Sequence, residues 1–248
     1  MDILVTDKLS KTYDGQYFAL SNCTFSLQKG QICAVVGESG SGKSTLLRLI
    51  AGLERPDGGT ITIEKEIMSD DTTVVAPQKR NVGLVFQDFA LFPHMTVEQN
   101  IAFGLKADKA ATVKRMLAVI KMEAFAKRYP SELSGGQEQR VALARTLAIN
   151  PRILLLDEPF SNLDTSLKAE LRQEIRDIAK DFGTTLVFIT HDIFDAIDIA
   201  DQLIILKAGK IIRHCKITDF AKDVTNEDVK TMLVELKENA ERMLSVLD

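Results

Sequence analysis

The sequence predicts an α/β protein built around a mainly parallel sheet. Three observations predict it. A glycine-rich loop, GESGSGKST at residues 37–45, joins a short apolar run at 32–36 to an apolar face at helical spacing, Leu46, Leu47, Leu49 and Ile50, which stops at Gly52. Two further apolar runs, 153–156 and 185–189, each end in ionisable residues, and both read as strands buried on two faces. Between them, residues 166–181 carry Leu167, Leu171, Ile175 and Ile178 on one helical face, with Gly183 after them. Strands alternating with helices in this way belong to a parallel sheet.

The loop fits the phosphate-binding pattern G-x-x-x-x-G-K-[ST] with nothing missing. Glycines between a strand end and a helix start let backbone N–H groups close around phosphate oxygens, and the helix N-terminus adds partial positive charge. Gly37, Ser39, Gly40, Gly42 and Thr45 are therefore candidate nucleotide contacts. Lys43 is placed to reach the β- and γ-phosphates and the Ser44 hydroxyl to hold Mg²⁺.

Taken in order, residues 2–9 and 18–28 read as strands, the second with Cys23, Phe25 and Leu27 alternating with polar residues. Tyr13, between them, is a candidate for stacking on an adenine ring, with Tyr17 as a second; an exposed turn tyrosine is the plainer reading. RPDGG at 55–59 is a turn signal, and 60–63 alternates as a strand. Residues 64–80 are polar and carry no pattern. Residues 81–86 read as a strand running into Gln87. The stretch 88–150 reads as a helical insertion: Thr96 to Gln99 fits a capping box, and Val113, Met116, Leu117 and Ile120 share one helical face. Ser134 can cap a helix running to about Ile149. Asp157 and Glu158 close the apolar run at 153–156, at the strand end where ligands of open α/β sheets sit.

Composition narrows the function. The chain has 248 residues, 45% hydrophobic and 27% charged, with a net charge of −4, which speaks against a nucleic-acid partner. Three widely spaced cysteines, Cys23, Cys33 and Cys215, suggest no disulfide framework and a reducing cytosol. The N-terminus does not read as a signal peptide, and no apolar run approaches the ~20 residues that cross a bilayer.

At LSGGQ, residues 133–137, the pattern becomes specific. The glycine-rich loop, Gln87, LSGGQ, ILLLDE (153–158), SNLD (161–164) and His191 stand in the order seen in ATP-binding cassette (ABC) proteins, and the chain resembles that family over roughly residues 2–208. VFQDFALFPHMTVEQNIAFGL (85–105) and DTSLKAELR (164–172) look most like cassettes of bacterial importers for sugars, iron, polyamines and oxyanions. Such subunits often carry a further C-terminal β-domain, whereas about forty residues follow Gly209 here.

The resemblance implies a phosphate-loop NTPase core with a mainly parallel sheet, an N-terminal antiparallel β-subdomain and a helical insertion. The chain then divides into 1–87 and 151–217 for the core and 88–150 for the helical subdomain, with 218–248 as a C-terminal helical tail beyond the resemblance. It implies ATP held between two head-to-tail copies of the chain, each loop facing the signature segment Ser134, Gly135, Gly136 and Gln137 of the other. Asp157 would hold Mg²⁺ through water and Glu158 would polarise the attacking water. Gln87 would touch metal and water, His191 would contact the γ-phosphate and hold Glu158, and Asp164 would lie at the dimer interface. Partners implied are two transmembrane permease subunits and a solute-binding protein, on the cytoplasmic face of the cell membrane. The alternative is a soluble cassette ATPase acting on nucleic acid or ribosomes. Such proteins carry two cassettes or long coiled coils, and this chain has neither.

The tail lies outside the resemblance. Val229, Leu233, Leu236, Ala240, Met243 and Leu247 recur at spacings of 4, 3, 4, 3 and 4 after a helix start at 225–228. That stripe fits docking on its own cassette or on a partner's.

Overall fold

Two sheets meet at the glycine-rich loop. The computed structural model describes residues 1–15, 17–161, 165–222 and 224–244. Strands β1 (Asp2–Tyr13), β2 (Tyr17–Gln28), β4 (Gly58–Ile63) and β5 (Glu66–Ser69) form an antiparallel sheet in the order β2-β1-β4-β5. The second sheet contains β3 (Ile32–Val36), β6 (Val82–Val85), β7 (Ile153–Asp157), β8 (Thr185–Thr190), β9 (Gln202–Lys207) and β10 (Lys210–Lys216). Its order is β10-β9-β3-β8-β7-β6, and only the β9–β10 pair is antiparallel.

The parallel strands are apolar along their whole length because both faces are covered, and alternate residues serve two cores. Cys33, Val35, Leu155, Val187, Ile189 and Leu206 point towards helix α1 (Lys43–Ala51) and the antiparallel sheet. Ala34, Val36, Leu156, Phe188 and Ile205 point the other way. There they meet helices α2 (Val97–Ala102), α3 (Lys109–Val119), α4 (Gly135–Ala148), α5 (Thr165–Asp181), α6 (Ile193–Ile199) and α7 (Glu227–Leu244). Fully burying one such aliphatic side chain contributes about 1.5–3 kcal/mol.

The chain leaves β3 through α1 on one face towards β6, and leaves β8 through α6 on the other face towards β9. Connections diverging from neighbouring strands open a crevice at their carboxyl ends. Register fills it: Val36 pairs with Thr190, and Asp157 pairs with Ile189. The residues just beyond these strand ends, Gly37, His191 and Glu158, therefore come out along one edge.

Several expected elements form with small shifts. Gly52 closes α1 with φ 79° and donates to the carbonyls of Arg48 and Leu49. Thr96 and Gln99 cap α2 reciprocally, Thr96 Oγ1 accepting from Gln99 N and Gln99 Oε1 from Thr96 N. The helix they open is only six residues long. The cap of α7 is Asn226, whose Oδ1 accepts from the amides of Asp228 and Val229. On α7, Val229 is fully buried, and Leu233 and Leu236 pack against the helical-face core of their own chain. Met232, off the spacing read from sequence, joins them.

Residues 64–80, patternless in sequence, contain β5 and Arg80, the largest fully buried side chain among the described residues. Its guanidinium donates to the carbonyls of Leu49 and Ile50 at the end of α1, to those of Met68 and Val75, and to Ser69 Oγ. A cation at a helix C-terminus complements the dipole and satisfies carbonyls that lack intrahelical partners. Arg80 thus fastens the far end of the loop's helix to the antiparallel sheet.

Arg80→Met keeps the apolar stem but removes the guanidinium from five acceptors, of which the Leu49 and Met68 carbonyls keep a further donor, Gly52 N and Val75 N. The expected loss is roughly 3–4 kcal/mol of stability, read by equilibrium urea unfolding. A loss under about 1 kcal/mol would show that the charge is dispensable.

Candidate functional site

A cavity of 240 Å³ opens at the end of the loop and is lined by Tyr13, Ser39, Gly40, Gly42, Lys43, Ser44, Thr45 and Glu158, together with Ala19. The loop's conformation is forced at two glycines. At Gly42, φ is 104° and an added Cβ would lie 2.1 Å from the carbonyl oxygen of Ala19. At Gly37 an added Cβ would lie 2.2 Å from that of Leu206. Side chains are excluded at both positions by backbone on either side.

Lys43 is the first residue of α1 and 5% exposed. Its ammonium donates to the carbonyls of Gly37 at 2.7 Å and Glu38 at 2.8 Å. Burial pushes its pKa down, while Glu158 and Asp157 pull it back up. The ammonium therefore lies across the loop's own mouth, held by neutral carbonyls that an anionic oxygen would outcompete.

The Ser44 hydroxyl donates to Asp157 Oδ1 at 3.3 Å. Asp157 ends β7, and burial raises its pKa, the Ser44 bond partly opposing this. Among the described residues no cluster of three or more His, Cys, Asp or Glu forms a metal cage. The Ser44–Asp157 pair suits Mg²⁺, which takes one or two protein oxygens and fills its sphere with water and phosphate.

Glu158 is strained: its φ is 46°, in the left-handed region that a residue with Cβ avoids. Three bonds hold the turn. Glu158 N donates to Ile189 O at 3.2 Å, and the Glu158 carbonyl accepts from Ser161 N at 3.3 Å and Ser161 Oγ at 3.1 Å. His191 Nδ1 lies 3.3 Å from Glu158 Oε2. Gln87 Nε2 is 3.5 Å from Ser161 Oγ, beside the same turn but exposed. Tyr13 is hydrogen-bonded through its hydroxyl to Glu54, and its pKa is raised by burial first and by Glu54 second.

The signature segment lies elsewhere. None of Ser134, Gly135, Gly136 and Gln137 lines the cavity. Ser134 caps α4, its Oγ accepting from Gln137 N at 3.4 Å, and Gln137 Oε1 returns the bond from Ser134 N at 3.0 Å. The Gln137 side chain thus shapes the helix end. A Cβ on Gly135 would meet nothing within 4 Å, so this chain's own packing gives no reason for glycine there. Asp164 and the side chain of Tyr17 lie outside the described residues.

Sequence reasoning missed the supports. Asp195, 2% exposed, accepts from Thr190 Oγ1 at 2.7 Å and from Arg172 at 3.1 Å, and so fixes the residue before His191. Gln139 donates to Pro159 O at 2.6 Å, beside Glu158. A carboxylate four residues after His191 was the available signal for Asp195; the partner of Gln139 leaves none.

Residues 20–161 match the family described as ABC transporter. A sulfate/thiosulfate import ATP-binding protein of Bacillus cereus is 47% identical over 82% of this chain and 58% of its own length. A putrescine transport ATP-binding protein of Escherichia coli is 46% identical over 85% of this chain and 56% of its own. This chain therefore spans a little over half the length of these relatives. A solved dimeric ATP-binding cassette in a post-hydrolysis state, bound to ADP and Pi, superposes with a TM-score of 0.76 at 33% identity, over 86% of this chain and 98% of the other.

Lys43→Ala removes the one ammonium in the cavity while leaving the glycines. The expected result is a loss of Mg-ATP affinity of about 10- to 100-fold or more, the contribution of a charge-assisted contact. Isothermal titration reads it directly, and unchanged affinity overturns the phosphate-loop assignment.

Proposed function

The chain belongs to the ABC transporter family, and from that premise we propose that it is the ATP-hydrolysing subunit of a membrane importer, working as a head-to-tail dimer. The observation that carries this reading is the half-built site. One cavity gathers the loop, Ser44 and Glu158, with Asp157 bonded to Ser44 and His191 beside Glu158, while the signature helix end lies outside it with Gly135 exposed and open to an outside group. A second copy supplies what is missing. Its Ser134, Gly135 and Gly136 offer a helix N-terminus to the γ-phosphate from the side the loop does not cover.

Mg²⁺ held by Ser44 and Asp157, with Gln87 near, would neutralise charge on the β- and γ-phosphates. The chain's residues do the rest. Lys43 leaves its carbonyls for the phosphates. Glu158 accepts a proton from, or polarises, the attacking water, a role worth roughly 10²–10⁴-fold. The strained backbone at Glu158 and its contact to His191 hold the carboxylate in place. Tyr13 stands at the cavity rim where an adenine ring would lie, and Asp164 is assigned to the dimer interface. Because phosphoryl transfer depends on positioning and charge, closure of two half-sites is the committing step.

Transport needs a membrane partner. No described helix is long and apolar enough to cross a bilayer. Residues 88–150 are read as the subdomain that receives a short helix from a permease subunit on the cytoplasmic face of the cell membrane. An apolar groove of 580 Å³ between α2 and α3, with Ala102, Val113 and Leu117 in its wall, supports that reading. In the adjoining loop Phe89 and Leu91 pack inward, whereas Phe103 is 58% exposed. The import relatives support the importer reading, and a solute-binding protein is proposed as a further partner of the assembled system.

Glu158→Gln keeps shape and hydrogen bonding but not basicity. Turnover is expected to fall at least about 100-fold while ATP binding persists and an ATP-held dimer accumulates on size-exclusion chromatography; a variant with most of its turnover would remove Glu158 as the base. Gly135→Asp tests the shared site by sign. An acid in the first turn of α4 favours the helix, so melting temperature should hold or rise slightly. The same charge repels a γ-phosphate arriving from outside, so ATP-driven dimerisation and turnover should be lost. Retained dimerisation would contradict the two-chain site.

A further inference from the structure

Arg145 lies eleven residues after Ser134 on α4, about 16 Å along the helix from the signature end. Its guanidinium reaches the loop between β6 and α2. Nη1 donates to Ala90 O at 2.7 Å and Nη2 to Phe89 O at 2.9 Å. Both acceptors are non-glycine residues in the left-handed region, with φ 60° at Phe89 and 44° at Ala90. Two such residues in succession persist only where neighbours over-determine them. The same guanidinium lies 5.3 Å from the centroid of the Phe92 ring, which in turn packs on Phe103 at 4.3 Å. Buried Asn100 fixes the far end of the loop, bonding Phe92 at both N and O and the carbonyls of Met95 and Thr96. From Phe89 to Thr96 the loop is therefore fastened to α4 and α2, and Gln87 stands two residues before the fork.

We propose that Arg145 is a positioning residue that locks the Gln87 loop to the signature helix, so that one movement brings the signature end to a partner's nucleotide and Gln87 into its own site. A tilt of α4 towards a second copy pulls the Phe89–Ala90 turn with it through two parallel bonds, and the turn carries Gln87. A lysine keeps the charge but cannot present two donors in a fixed fork. The inference rests on the reading of Gln87 as a contact to metal or water and adds the linkage that delivers it.

The test is a double-mutant cycle on the full chain, using Arg145→Lys, Gln87→Ala and the double variant, with steady-state ATPase, ATP affinity and thermal melting. Each single change is expected to lower kcat about tenfold with KM for ATP within about twofold. Adding Arg145→Lys to Gln87→Ala is expected to cost less than about twofold more, because the linkage then has nothing to deliver. Full additivity overturns the linkage, as does wild-type kcat in Arg145→Lys. Wild-type kcat in Gln87→Ala overturns the reading of Gln87 and the inference with it, an outcome visible in that single variant. If Arg145→Lys melts early, amide exchange at Phe89 to Leu91 at a temperature where it is folded decides instead. Faster exchange confined to that turn supports the linkage, and unchanged protection overturns it.

Discussion

The site depends on two backbone carbonyls. Ala19 O presses on Gly42 from β2, and Leu206 O presses on Gly37 from β9. The glycine-rich loop is therefore moulded between the antiparallel sheet and the end of the parallel one, and neither sheet alone would give it its shape. Further bonds close the same knot. Gly209 N donates to Ser41 O at 3.0 Å, and Ser21 N donates to Gly209 O at 2.8 Å. The β9–β10 turn thus bridges the loop and β2. Arg80 finishes the construction by tying the other end of α1 to β5. An anion site made of backbone amides needs this rigidity, since donors that must reorganise on binding contribute less.

Helix α4 is the second organising element. It reaches the turns beside Glu158 and after Gln87 as well as α5, while Ser134 and Gly135 at its own N-terminus are exposed. Gln139 holds Pro159, beside Glu158; Arg140 pairs with Glu170 and Glu174 on α5, which follows the SNLD stretch; Arg145 holds the turn after Gln87. A helix fastened at these points carries them with it when it moves, and in the proposed dimer its N-terminal end is what a second copy would receive. The half-site is thereby connected to the group this chain would lend its partner.

The strands and helices that position the loop were legible because burial on two faces and on one face leave periodic signals. Ile32–Val36 forms with the bounds read from its apolar run, and Ser134 caps α4 as its spacing to Gln137 suggests. The loop, Asp157 and Glu158 were legible as neighbours at the strand ends because the chemistry proposed for them requires fixed residue types at fixed spacing. Three of the hidden supports share one physical property: their side chains donate to backbone carbonyls. Arg80, Gln139 and Arg145 take partners 5 to 56 residues away, and any residue type can offer a carbonyl, so no pattern marks the acceptor. The strain at Glu158 was equally invisible, since φ there is set by β7, β8 and Ser161 together.

The tail shows how packing bears on two readings, own-chain docking being the plainer of them from sequence. An isolated helix of this length is marginal in water and must bury its stripe. Val229 has no exposed surface, and Met232, Leu233 and Leu236 lie against the core of their own chain. Lys207 pairs with Asp228 at 2.6 Å, across a polar cleft shared with Gly37 and Glu38. Val229 is enclosed by its own cassette and cannot also form a seam with another, and the half-buried Leu233 and Leu236 lean on the same core. The helix start is thereby set beside the strand end that moulds Gly37, and the tail shares a wall with the phosphate loop. The contact is intrachain, yet it touches the same backbone knot on which nucleotide binding depends.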